Sequence, residues 1–148
     1  MARVTGHSFA KLLQERLWQP LGCEDDAYVI VDRAGMPMAG GGLSTTLRGL
    51  ARFGELMRCE GAWSGDQIIP ASVVDDVQNG HHSAMLADGY SYRSQWWVTH
   101  NELGAVDARG IHGQRLYIAP EAEMVIARFA SHPHALSDAG DVITKHKC

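Results

Sequence analysis

The chain has 148 residues, 45% of them hydrophobic and 20% charged, with a formal net charge of −4 and a pI near 6.0. This is the balance of one globular domain with a sizeable core; it excludes a disordered chain and offers no electrostatic grip on nucleic acid or an anionic membrane. No apolar run approaches the ~20 residues that span a bilayer, no signal-peptide block opens the chain, and three scattered cysteines (Cys23, Cys59, Cys148) suit neither a disulfide framework nor a zinc site, so a reduced, cytoplasmic chain is expected.

In chain order, Ser8 is placed to cap a helix through Phe9, Leu12, Leu13 and Leu17, which must stop before Pro20. Leu21-Gly22 turns the chain, Ala27 to Val31 reads as a short strand, and Met36 to Gly42 reads as a glycine loop. Ser44 or Thr45 can cap a second helix with Leu47, Leu50, Ala51, Leu56 and Met57 on its apolar face. Gly61 to Gly65 reads as a loop, and Pro70 can start a third helix carrying Val73, Val74 and Val77. Beyond Asn79-Gly80 four strands are expected, over Tyr92–Val98, Leu103–Ala108, Gln114–Ala119 and Glu123–Phe129. Trp96 and Trp97 should face opposite sides, and Pro120-Glu121-Ala122 should join the last two strands antiparallel. Helices first and an antiparallel strand meander last make an α+β fold.

Several motifs invite chemistry. Ser8-Phe9-Ala10-Lys11 is a Ser-x-x-Lys, which one helical turn would put on one face, but a cap with a solvated lysine explains it more simply. The adjacent His81-His82 cannot share one face as metal ligands must, and His132-Pro133-His134 lies in an expected exposed loop, so no metal site is expected. Gly110-Ile111-His112-Gly113 sits just before a strand, where glycines would let backbone approach a ligand and present an N–H as half of an oxyanion hole; from the local sequence alone a bulge or hairpin bend is the favoured reading. Gly40-Gly41-Gly42-Leu43-Ser44 has neither the Walker phosphate-loop continuation nor dinucleotide spacing, so no cofactor is expected.

Taken in order, these segments resemble the C-terminal half of the serine β-lactamase-like hydrolases, which include class C β-lactamases, penicillin-binding esterases and 6-aminohexanoate-dimer hydrolase. The resemblance is carried by Val4 to Phe9 through Leu17 to Gly22, by Gly40 to Thr46 with Leu50 to Gly54, and by Ile69-Pro70 and Tyr92 to Trp97. Ala108 to Gln114 followed by Tyr117 to Pro120 is most similar to the 6-aminohexanoate-dimer hydrolase branch. It implies that Ala108-Arg109-Gly110 takes the place of the family's Lys-Thr-Gly, and that Ile111, behind Gly110, carries the N–H completing the oxyanion hole. The nucleophilic Ser, its Lys and the catalytic Tyr would lie upstream of the matching region, which makes Ser8-x-x-Lys11 coincidental and residues 1–148 a single partial domain.

The expected function is therefore one wall of a serine hydrolase site that cleaves a small-molecule amide or ester through an acyl-enzyme, inactive without its attacking group. His112, Met38 and Gly41 are candidate substrate contacts. A non-catalytic interaction module is the reading from another class, with bare apolar and strand surface driving self-association or pairing with an upstream N-terminal chain.

Overall fold

The structure, a computed structural model, describes residues 2–79 and 89–135; His81, His82 and Cys148 lie outside them. After a single turn, α1 (Ala2–Thr5), the Ser8 hydroxyl accepts a hydrogen bond from the Lys11 N–H (3.2 Å) and starts α2 (Phe9–Leu13). The helix continues as a π-helical turn over Gln14–Trp18, where the Gln19 N–H reaches back to the Gln14 carbonyl (3.0 Å), and it ends at Pro20 as expected. Leu21 behind it is fully buried.

Strand β1 (Tyr28–Val29) pairs antiparallel with β2 (Leu43–Ser44). The Met36 to Gly42 stretch, expected as a loop, is the returning arm of this hairpin. The Ile30 N–H donates to the Gly42 carbonyl, the Met38 N–H to the Ile30 carbonyl, and an isolated bridge joins Val31 to Pro37. Asp32 turns the tip by accepting from the Ala34 and Met36 N–H groups, an Asx turn that glycine counting overlooks.

Helix α3 (Leu47–Arg58) is capped by Thr46, whose hydroxyl accepts from the Gly49 N–H, rather than by Ser44, which lies in β2, or by Thr45. Its core-facing stripe is Leu50, Phe53, Gly54, Leu56 and Met57; Leu47, expected on that face, is about half exposed. The Gly61 to Gly65 stretch forms a tight hairpin, β3 (Ala62–Trp63) and β4 (Asp66–Gln67), turned by Ser64 and Gly65 at positive φ. Helix α4 (Ala71–Asn79) starts after Pro70 and buries Val74 and Val77 but leaves Val73 about half exposed.

The second half is a five-stranded antiparallel meander: β5 (Ser91–Arg93), β6 (Trp96–Val98), β7 (Val106–Arg109), β8 (Arg115–Ala119) and β9 (Met124–Arg128), in chain order. The single strand expected over Tyr92 to Val98 is two strands, folded back at Ser94 and Gln95, both at positive φ. The joint at Pro120–Ala122 and the antiparallel pairing across it are as expected.

Period-2 alternation divides the sheet into two faces. Trp96, Val98, Val106, Leu116 and Ile118 point at α3 and α4 and make the main core with Met57, Val74 and Val77. The helix sits tightly on the sheet at Gly54, where a Cβ would stand 2.5 Å from a Val125 methyl and 2.9 Å from a Leu116 methyl. On the other face lie Trp97, Asp107, Tyr117 and Ile126, one residue per strand in register. Among the described residues no helix is long and apolar enough to cross a membrane.

Candidate active site

Strands β7 and β8 end on the cross-strand pair Arg109 and Arg115, and the chain between them forms the Gly110 to Gln114 bend. Gly110 is extended, and its N–H donates to the Gln114 carbonyl (2.9 Å). Gly110 therefore shapes the bend and offers no free donor. Ile111 opens a single 3-10 turn, with its carbonyl accepting from the Gln114 N–H, and is 61% exposed. Its own N–H has no acceptor among the described residues, the condition required of a backbone donor that must stay available for an oxyanion.

His112 follows at φ 58° and Gly113 at φ 85°, two left-handed residues in succession. The His112 Nδ1 lies 2.8 Å from the His132 carbonyl oxygen. A carbonyl only accepts, so Nδ1 carries the proton, and in the neutral ring Nε2 is left as an acceptor. His132, expected in an exposed loop, is half-buried against the bend, whereas His134 is exposed. Met38 and Gly41, the other candidate substrate contacts, sit on the β1–β2 hairpin; Met38 is exposed, and its backbone hydrogen bonds stay within that hairpin.

Ser8 and Lys11 behave as a cap and a surface charge. The Ser8 oxygen is occupied by the Lys11 backbone N–H, and the Lys11 ammonium faces Glu15 at 3.8 Å, away from any role as the serine's base.

Two constellations lie outside the residues singled out from the sequence. Asp107, fully buried, accepts from Arg115 Nε (3.0 Å) and Nη2 (2.6 Å) and from Arg109 Nε (2.6 Å). The Arg109 guanidinium also stacks over the rings of Tyr90 (4.4 Å) and Trp97 (5.0 Å), which anchors the strand end from which the bend departs. The second is a hydroxyl–imidazole pair, Ser91 Oγ to His100 Nε2 at 2.7 Å. Ser91 is completely buried, so no substrate reaches it, and the pair ties the β5–β6 hairpin together. The alternating charges of Asp107 and Arg109 signal one shared strand face, but their partner Arg115 needs the register to be found.

Comparison with known proteins agrees with this arrangement. The Beta-lactamase family profile matches residues 1–146. The 6-aminohexanoate-dimer hydrolase of Paenarthrobacter ureafaciens is 38% identical over 139 residues, covering 88% of this chain and 36% of the relative. A solved structure assigned as a 6-aminohexanoate-dimer hydrolase, from Bacillus anthracis, superposes on 97% of this chain with a TM-score of 0.88 at 37% identity, and this chain covers 38% of it. A protein assigned as a β-lactamase from Bacteroides dorei (TM-score 0.62, 19% identity, 97% of this chain and 53% of that one) shares the fold. So does a penicillin-binding protein homologue from Caulobacter crescentus (TM-score 0.62, 13% identity, 95% and 52%). The chain thus spans little more than a third of the length of these two 6-aminohexanoate-dimer hydrolases. With its helices, its five-stranded meander and the bend after β7 all accounted for within residues 1–146, the chain belongs to the Beta-lactamase family.

Proposed function

We propose that these residues form the C-terminal wall of a β-lactamase-like serine hydrolase site that cleaves a small-molecule amide or ester through an acyl-enzyme. The observation that carries the reading is the N–H of the exposed Ile111, which has no acceptor among the described residues, in the bend that follows Ala108-Arg109-Gly110. As an acyl carbonyl is attacked, its oxygen gains charge, and a fixed backbone donor at that point lowers the barrier without reorganising. The second donor and the attacking hydroxyl belong to an upstream segment in this reading, so the 148-residue chain is silent on its own. The 38% identity to a 6-aminohexanoate-dimer hydrolase supports a linear amide as the substrate class.

The test incubates the chain with p-nitrophenyl esters, a linear 6-aminohexanoate dimer, a chromogenic cephalosporin and a fluorophosphonate probe. Each is tried with and without a separately expressed segment carrying the Ser-x-x-Lys and Tyr motifs that the family resemblance places upstream. Turnover is expected only in the mixture. Turnover by the chain alone that disappears in Ser8→Ala would overturn the assignment.

One observation favours a second reading, an interaction module. Tyr28, Ile30, Val31, Met36 and Met38 are all more than half exposed on the single β1–β2 hairpin. Such a surface suits self-association or an upstream chain, and sedimentation over a concentration series separates these from a monomer.

A further inference from the structure

We propose that residues 130–135 form a strap that positions the Ile111 N–H, with His112 and His132 as its two positioning residues. The proposal rests on the reading of Ile111 as an oxyanion donor, and it assigns His112 to the bend rather than to the substrate.

The strap and the bend are joined by reciprocal hydrogen bonds. The His112 N–H donates to the Ala135 carbonyl (3.1 Å), the His132 N–H donates to the His112 carbonyl (3.1 Å), and His112 Nδ1 donates to the His132 carbonyl (2.8 Å). Two residues on, the Gln114 side-chain amide donates to the Ala130 carbonyl (2.5 Å) and accepts from the Ala130 N–H (3.4 Å), prolonging the β8–β9 pairing through a side chain. The His132 ring lies against Gly113, where a Cβ would stand 2.1 Å from its Cδ2, so residue 113 must be glycine both for its φ and for the ring. Arg128, at the end of β9, bonds the same ring, Nη2 to Nε2 at 2.5 Å.

This arrangement answers a physical question set by the bend. A histidine at φ 58° is held there by its surroundings; the two hydrogen bonds inside the bend, Gly110 N–H to the Gln114 carbonyl and Gln114 N–H to the Ile111 carbonyl, close the turn but involve neither the N–H nor the carbonyl of His112. The strap supplies the missing constraint by fixing both the N–H and the carbonyl of His112, and so the peptide plane next to Ile111. Guanidinium donates to His132 Nε2, so the strap requires this imidazole neutral with its proton on Nδ1. Arg128 faces the ring from β9 and His112 from the bend; Arg115 stands beside Arg128 in register and carries Asp107, and His134 follows on the strap. Protonation of His132 would replace the acceptor by an N–H aimed at a cation.

The test uses NMR on the 148-residue chain, reading amide hydrogen exchange at His112 and His132 and the backbone shifts of residues 110–113. Both amides should exchange more slowly than the Ile111 amide, which has no acceptor among the described residues. His112→Ala should speed exchange at His132 by roughly tenfold, about the factor one net hydrogen bond supplies, and should move the shifts of the bend. His112→Asn presents an N–H where Nδ1 stood and tolerates the left-handed conformation, so it should restore both. His132→Gln, whose side-chain carbonyl can accept from Arg128 as Nε2 does, should keep both amides protected, whereas His132→Leu, which offers no acceptor, should not. An Asn variant that behaves like the Ala variant, or an Ala variant without effect, overturns the strap. If the strap variants behave as expected but Ile111→Pro leaves acylation unchanged in the reconstituted hydrolase, it is the oxyanion reading that fails.

Discussion

Arg115 reaches across the β7–β8 ladder to clamp Asp107, with Nη2 2.6 Å from Oδ2 and almost no solvent access to either side chain. Arg109 closes on the same carboxylate from the neighbouring position of its own strand. One buried anion therefore holds two cations at the point where the sheet gives way to the bend. Removing one partner of such a group strands the other charges in a poorly solvating environment, which costs far more than the intact group contributes. Asp107→Ala is expected to destabilise the chain by about 3–5 kcal/mol, seen as a lowered urea midpoint. An unchanged midpoint would mean that water reaches the two arginines.

Gly54 lets α3 rest directly on β8 and β9. Alanine gains about 1 kcal/mol of helix propensity, but its methyl would enter space filled by Val125 and Leu116, and overpacking of this kind costs about 1–3 kcal/mol. Gly54→Ala is expected to lose stability on balance, and Val125→Ala in the same chain should recover part of the loss. A Gly54→Ala variant more stable than the parent in thermal melts would show that the helix can lift away.

In the reconstituted hydrolase, Ile111→Val should leave acylation almost unchanged, because the main chain supplies the contact. Ile111→Pro removes that donor and should slow acylation by ~10²–10³-fold in stopped-flow burst kinetics. Gly110 is already extended, at φ −104° and ψ 165°, as the residue before a proline must be, so the variant is compatible with the fold. Full-rate acylation in a folded proline variant would remove Ile111 from the reaction.

Burial pushes the thiols of Cys23 and Cys59 above their ordinary range, although Arg52 and Arg58 beside them pull the other way. Thiolate is the reacting species, so at about pH 8 both should be alkylated several-fold more slowly in the native chain than in urea. Iodoacetamide time courses read by peptide mass spectrometry decide this, and equal native and denatured rates would contradict it. Both thiols should gain reactivity as pH rises, with their native midpoints above the unfolded one.

The sequence pattern carried the class of fold because helical and alternating apolar spacings are local signals. Ser8 was legible as a cap and Pro120 as a joint for the same reason. What stayed hidden depends on partners distant in the chain. The turn at Ser94 and Gln95 has no glycine or asparagine to announce its positive φ, so two strands read as one. Ser44, Thr45 and Thr46 are all chemically able to cap, and pairing of Ser44 with Tyr28 decides which does. Leu47 and Val73 fit their helical stripes yet lie at the margins, where no neighbour covers them. The bend was legible as two glycines around an apolar residue; its dependence on His132 was not, since no periodicity links positions twenty residues apart.

The seating of α3 on β8 and β9 also dictates an order of events at the ribosome. The apolar stripe of Leu50, Phe53 and Met57 is synthesised long before Leu116 and Ile118, the strand residues that share its core. Contacts of such wide separation close late, and a nascent chain ending near Val98 must keep that stripe exposed or shielded by a chaperone. Chains stalled after Val98 should be cut readily within α3 by a protease, and chains stalled well beyond Phe129 should not. Equal resistance at both lengths would show that α3 finds an earlier shelter. Strands made about sixty residues later are what make α3 safe.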